Sequence, residues 1–345
     1  MNNNDKNNNF EIPNNINLRR VIELTDEFLK IPSVIGFEQP FLKYLNEKIL
    51  TLGYKTELKK DNLIVKSKFE NKNNLLFSAH IDRHGLIKNE NNEFEYIAYN
   101  LKKKFNLEFK KDIRDFYLSA CQRHIKDEVY SYNIKNGNII DEAKIERFNL
   151  NWKSKLVTYD LSKQIQDNVL GFYSTIKMTK NLFYGQIDNV ISVAVLIYLL
   201  EIDKINGDII FTTQEEIGFS YKNVINYLDE NKINKQIITL DTSPYDNFDD
   251  KCDGFIVLRK GDENGDFNLD LVKKIENLAI NLMIPFEYKS NKNGMTELGR
   301  ISTVSKGKYT GTTLQIPSMN YHTTYETSTL SSLENYIKLI IKLQN

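Results

Sequence analysis

The sequence predicts an α/β fold interrupted by an inserted second domain, and three observations lead there. Apolar runs that read as strands alternate with helix-period stretches at both ends of the chain, in residues 17–87 and 183–345. Such alternation marks a layered α/β architecture. The stretch between them, 88–182, is charged and aromatic and lacks that pattern. The length, 345 residues, suits two domains at roughly 150 residues each.

Residues 1–16 form an Asn-rich tail with too little apolar surface to order itself. Val21, Leu24, Phe28 and Leu29 recur at helical spacing, and Pro32 stops that helix. Phe41, Leu42, Leu45 and Ile49 define a second helix from about residue 38 to 52, closed by Gly53. Residues 63–65 and 75–79 read as strands. Within the insert, a helix is expected near 110–130, after the lysine cluster at 102–104. Asn136-Gly137 signals a tight turn closing a hairpin, because both residues tolerate positive φ. Residues 190–200 are apolar all round, as a buried helix requires. The runs 208–214 and 236–241 read as strands around a helix at 221–230, with Ser220 as its N-cap. Ser331-Ser332-Leu333-Glu334 has the form of a capping box opening a last helix.

Composition narrows the function. Lys+Arg and Asp+Glu are both 46, so the net charge is zero. That excludes a general binder of nucleic acid or anionic membrane, which carries a basic excess. Hydrophobic residues at 41% suffice for a large core. Cys121 and Cys252 are too few for a disulfide framework and suit a reducing, cytoplasmic setting. They read as packed thiols. No apolar run reaches the roughly 18 residues that span a bilayer, and the N-terminal residues have no apolar signal region.

The chemistry concentrates where apolar runs end. His80 closes one run, with Asp82 two residues on; others finish at Asp188, at Glu215-Glu216 and at Asp241. One acid at a strand end is ordinarily a solvated group or a helix cap. Several gathered at one sheet edge, where open α/β sheets bind ligands, would repel one another without a cation. Mixed nitrogen and oxygen donors favour zinc. Glu215 and Glu216 are adjacent and so point different ways: one can hold metal while the other faces substrate, the division that general-base activation of water needs. His84 follows His80 by four residues at a strand end, so the two do not form a helical pair; it reads first as a structural residue, with a supporting or substrate-facing role as the alternative. His124 reads as a surface residue of the insert's helix. Arg83 and Arg300 read either as holders of an acidic substrate side chain or as partners of structural carboxylates.

In order and spacing, HIDRHG (80–85), QIDN (186–189), QEEIG (214–218), LD (240–241) and IPSMNYHTTYE (316–326) resemble the tetrahedral aminopeptidase family. These are dinuclear zinc metallopeptidases, including glutamyl and deblocking aminopeptidases. IPSVIGFEQPFLKYL (31–45) is similar to the family's N-terminal helix. The resemblance implies a mixed-sheet zinc-peptidase domain from 17–87 and 183–345, with 88–182 as a dimerisation and assembly domain. It implies two divalent ions, zinc or cobalt, bridged by Asp188. His80 and Asp241 complete one ion, Glu216 and His322 the other. Glu215 becomes general base and later acid, and Asp82 holds the His80 ring. Peptides are the implied substrates and a homo-oligomer the implied state. The chain departs from the family at Arg83-His84, where an acid and an aliphatic are usual. It departs also at Asn189-Val190, for an acid and Arg, and at Met295-Thr296-Glu297, for Gly-Thr-Asp. Rival readings are a carboxypeptidase, a deacylase or a single-zinc glutaminyl cyclase on this scaffold, or a non-catalytic binding protein. A bridging Asp188 disfavours the single-zinc case, and an intact ligand set disfavours the non-catalytic one.

Overall fold

The computed structural model describes residues 13, 15–69, 74–97, 122–151, 156–245, 254–289 and 294–344. The chain opens with α1 (Leu18–Leu29), α2 (Gln39–Thr51), β1 (Lys55–Leu58), β2 (Asn62–Lys66) and β3 (Leu75–His80). Then come β4 (Gly85–Lys88), β5 (Phe94–Tyr96), β6 (Glu128–Tyr132), β7 (Ile139–Asn151), β8 (Leu156–Leu161) and β9 (Val169–Phe172). The return passes through β10 (Lys177–Met178), β11 (Leu182–Gly185), α3 (Val190–Glu201), β12 (Asp208–Thr212), α4 (Tyr221–Glu230) and β13 (Gln236–Pro244). It continues with β14 (Ile256–Leu258), β15 (Gly261–Asp262), β16 (Gly265–Asp266), α5 (Leu269–Asn281) and β17 (Phe286–Tyr288). The last elements are α6 (Glu297–Val304), β18 (Gly311–Ser318), β19 (Glu326–Thr329) and α7 (Leu330–Leu343).

The main sheet is mixed, in the order β1-β2-β12-β3-β13-β18-β14-β17. Its central strands β12, β3, β13 and β18 run parallel, so their carboxyl ends share one edge. Side chains alternate across it, as strand geometry dictates. Leu63, Val65, Leu75, Phe77, Ile209 and Phe211 join the core under α1, α2, α3 and α7. Ile64, Leu76, Ile210 and Ile237 join the core under α4 and α6. Both faces are therefore covered, which is why these strands read as continuous apolar runs. In α3 every residue from Val190 to Leu200 is buried; each such aliphatic contributes roughly 1.5–3 kcal/mol.

Residues 85–172, charged and aromatic in sequence, form a closed unit with an interior of their own. Their six strands close into a barrel, β4-β5-β8-β7-β6-β9, with β9 pairing back to β4. Closure leaves no unpaired edge. The interior is a core of its own, built on Leu86, Tyr96, Val129, Tyr130, Tyr159 and Phe172. Asn136-Gly137 lies in the β6–β7 connection, where Gly137 takes φ +78° and donates its N–H to Asn133 O. That connection occupies residues 133–138, longer than a tight two-residue turn. Of the helix expected near 110–130, residues to 121 lie outside the described part, Gln122 is helical, and 123–126 form a turn. The lysine cluster, both cysteines and nearly all of the tail also lie outside it. The last helix starts earlier than its expected capping box. Thr329, not Ser331, accepts the Ser332 N–H, at 3.0 Å.

Candidate metal centre

Different elements deliver the five predicted ligands to one place. Only His80 closes a strand, at the end of β3. Glu215 and Glu216 follow β12 in the connection to α4. Asp241 does not end its strand: β13 continues to Pro244 because 241–244 still pair with β18. Asp188 comes from outside the main sheet, three residues after β11 in the three-stranded sheet β10-β11-β19. There Gly185 pairs with Glu326, which brings the loop before β19, and with it His322, to the loop before α3.

His80 Nε2 lies 3.3 Å from Asp188 Oδ1 and 3.5 Å from Asp241 Oδ1. On the other side, His322 Nε2 lies 3.6 Å from Asp188 Oδ2 and 3.3 Å from Glu216 Oε2. The two oxygens of Asp188 thus face two separate donor sets. Charge-assisted hydrogen bonds are usually about 2.7–2.9 Å long. Two ligands of one tetrahedral ion at about 2.0–2.1 Å stand about 3.3 Å apart, and the observed separations match that spacing. Both Asp188 oxygens, Glu216 Oε1 and His322 Nε2 are buried with no hydrogen bond among the described residues. Unpaired buried carboxylates are costly, and a donor set of imidazoles and carboxylates suits divalent cations.

The supports explain the geometry. Glu215 and Glu216 donate their N–H groups to Asp82 Oδ1 and Oδ2, at 3.0 and 3.1 Å. Asp82 also lies 3.6 Å from His80 Nδ1, too far for a good hydrogen bond. Its carboxylate thus holds the Glu215-Glu216 backbone, while its carbonyl oxygen lies 3.3 Å from His80 Nδ1 and faces the imidazole's second nitrogen. Gly218 turns that segment with φ +76°, and the Arg300 guanidinium occupies the space a Cβ would need. Asn189, in place of the family's acid, donates Nδ2–H to Leu240 O at 2.7 Å and ties the Asp188 loop to β13. Glu326 accepts the Asp188 N–H at 2.7 Å and the His322 N–H at 2.5 Å. It therefore positions two loops at once. The quoted motif contained Glu326, but its role depends on a contact 138 residues away.

Electrostatics push neighbouring acids apart. Burial raises Glu215 well above the usual carboxylate range against the pull of His80, and Asp241, Glu216 and Asp82 add to the rise. Burial acts on Glu216 in the same sense, but His84 and His322 hold it well below that range. Asp241 is pushed up to about 6, by burial first and then Asp188, against His80. Burial opposes a charge on His80, yet Asp188, Asp241 and Asp82 raise it well above the ordinary imidazole value. A raised Glu215 beside a lowered Glu216 is the kind of divergence found between acid–base groups and their charged neighbours.

Other expectations need correction. His124 is not on the surface: it is 2% exposed and stacks on Phe172 at 4.4 Å inside the barrel. Arg83 pairs with no carboxylate among the described residues; its buried guanidinium donates to Leu29 O and Ile31 O. Ser220 stands at the α4 N-cap position but makes no capping bond. Glu297, at the first position of α6, is buried and accepts from Ser78 and Thr212. His84 and Glu326 are among the residues near the ligands that received no metal role from the sequence.

A mixed α/β sheet presenting such a donor set beside a raised glutamate defines a metallopeptidase-type hydrolase. The chain belongs to the M42 glutamyl aminopeptidase family, whose model matches residues 166–339. No curated protein sequence matches it. Its fold is similar to the TET aminopeptidase of a marine-sediment Thaumarchaeota archaeon, with TM-score 0.73, 16% identity and coverage of 94% of this chain and 96% of that one. It is also similar to the aminopeptidase APDkam598 of Desulfurococcus kamchatkensis, with TM-score 0.72, 15% identity and 94% coverage of each chain. The Pyrococcus horikoshii TET1 peptidase, which can assemble into a tetrahedron or a large octahedral shell, matches at TM-score 0.68 and 18% identity, covering 94% and 98%. At these identities the structures speak for a shared fold. No helix among the described residues is long and apolar enough to cross a membrane.

Proposed function

We propose that the protein is an aminopeptidase that removes N-terminal residues from peptides, using two divalent ions, zinc in the first instance. The observation that supports this most is the spacing of about one tetrahedral edge between His80, Asp188, Asp241, Glu216 and His322. In this reading Asp188 is shared, His80 and Asp241 complete one set, and Glu216 and His322 the other. Bound cations would polarise the peptide carbonyl and acidify a water molecule. Glu215 takes the proton of the attacking water at its carboxylate and returns it to the departing amine. Its raised proton affinity suits both halves of that task. Asp82 keeps Glu215 and Glu216 in register by holding both their N–H groups.

The direction of cleavage follows from the family. A carboxypeptidase or deacylase on this scaffold is the rival, and substrates decide between them. Metal-reconstituted protein should cleave peptides with a free α-amine and leave N-acetylated ones intact; the reverse preference would reject the aminopeptidase reading. The assemblies of the Pyrococcus horikoshii relative support a homo-oligomer here too. The insert, expected over 88–182 and containing most of the barrel, is the candidate contact surface. Light scattering should give a mass well above the 40.3 kDa of one chain.

A further inference from the structure

The sequence reading left His84 without a metal role, yet its ring lies among the ligands. His84 Nε2 is 3.1 Å from Glu216 Oε2, and its ring centroid is 4.0 Å from that of His322. His84, Glu216 and His322 place one donor atom each within 4.8 Å of one another, the same closeness shown by His80, Asp188 and Glu216. The ring is 3% exposed, and neither nitrogen makes a directed hydrogen bond among the described residues. Its orientation comes from the barrel: His84 stacks on Tyr96 with centroids 5.3 Å apart and planes 19° apart. It immediately precedes β4, so the barrel's first strand sets where this imidazole stands.

From this geometry we infer that His84 is an additional ligand of the cation held by Glu216 and His322. The inference rests on the two-cation reading above. Its consequence is an unequal pair. With Asp188, Glu216, His322 and His84, one cation has four protein ligands, the number that closes a tetrahedral site. The other, with His80, Asp188 and Asp241, has three and keeps a position open. The barrel then contributes to metal retention through the stack of Tyr96 on His84.

The rival explanation is that His84 only donates a hydrogen bond to Glu216, and two substitutions separate the cases. Metal-stripped full-length protein is titrated with cobalt(II), reading bound metal by dialysis and ligand geometry by visible absorption. His84→Leu should weaken one of the two sites by about 100-fold or more and alter the cobalt absorption. His84→Gln keeps a donor toward Glu216 but removes the imidazole, and should show the same loss. Wild-type affinity and absorption in both variants would overturn the assignment, as would full recovery in His84→Gln alone. If His84→Leu does not fold, His84→Gln decides by itself. The parent protein serves as the control: if it does not take up two cobalt ions per chain, the two-cation reading fails. If the parent takes up two while both His84 variants bind as tightly, only the His84 assignment fails.

Discussion

Strand β12 begins and ends near buried acids, and the two ends are balanced in opposite ways. At its start, Asp208 faces Lys235 Nζ at 3.1 Å and Lys66 Nζ at 3.6 Å. It also accepts the Ser67 N–H at 3.0 Å and the Tyr227 hydroxyl at 3.0 Å. Burial opposes its charge, but these partners hold Asp208 below the ordinary carboxylate value. Beyond the strand's other end, Asp188, Glu216 and Asp241 are equally buried, and the groups facing them are imidazoles and further acids. The first end supplies its own cations, as a structural ion pair must. The second leaves both Asp188 oxygens and Glu216 Oε1 without hydrogen bonds among the described residues. An acid matched by lysines serves the fold; acids grouped around imidazoles at ligand spacing are placed where a divalent cation fits.

That contrast can be broken or sharpened by substitution. The largest effect should come from Glu215→Gln, which keeps size and the neighbouring ligands but cannot accept a proton. Turnover should fall by about 10²–10⁴-fold, while bound metal stays at the wild-type amount. Near-wild-type turnover would remove Glu215 from the mechanism. Next comes Asp208→Asn, which strands Lys235 in a buried setting. Urea unfolding should show a loss of about 3 kcal/mol at neutral pH. Because the folded Asp208 value lies below the unfolded one of about 3.9, this contribution is complete above pH 4 and fades as the pH falls through the folded value. The gap between variant and parent should therefore close only in acid.

The metal-binding end should respond the other way. Saturating zinc at about 100 times its dissociation constant should stabilise the chain by about 2.7 kcal/mol per independent site, and Asp208→Asn should not diminish that gain. The smallest effect is expected from Asp241→Asn. Without metal at pH 8 it removes a charge that burial and Asp188 disfavour, so the protein should unfold at a slightly higher urea concentration than the parent. With zinc present the same substitution should lower the melting temperature. Destabilisation under both conditions would show that Asp241 is held for the fold rather than for a cation.

Much of this arrangement was readable before any coordinates. The convergence of His80, Asp188, Glu216, Asp241 and His322 followed from motifs whose order and spacing resemble the family's. The apolar strands and the buried helix α3 followed from local periodicity. What escaped depends on distant pairing. His84 looked incidental because Tyr96, which orients it, lies on another barrel strand. His124 looked exposed because the Phe172 beneath it is 48 positions away in sequence. The barrel alternates charged and aromatic residues on short strands, and closure through β9 and β4 joins segments more than 80 residues apart. Asp241 looked like a strand end because Thr242-Ser243-Pro244 is polar, yet pairing with β18 carries the strand through it.

The central claim is that the buried acids beyond β12 hold two cations per chain. The most direct measurement is metal content after stripping with chelator, exposure to zinc and removal of the excess by dialysis. The account predicts two zinc ions per chain in the parent, one when His322→Ala and His84→Leu are combined, and an unchanged two in Asp208→Asn. Failure of the parent to take up stoichiometric zinc would contradict it.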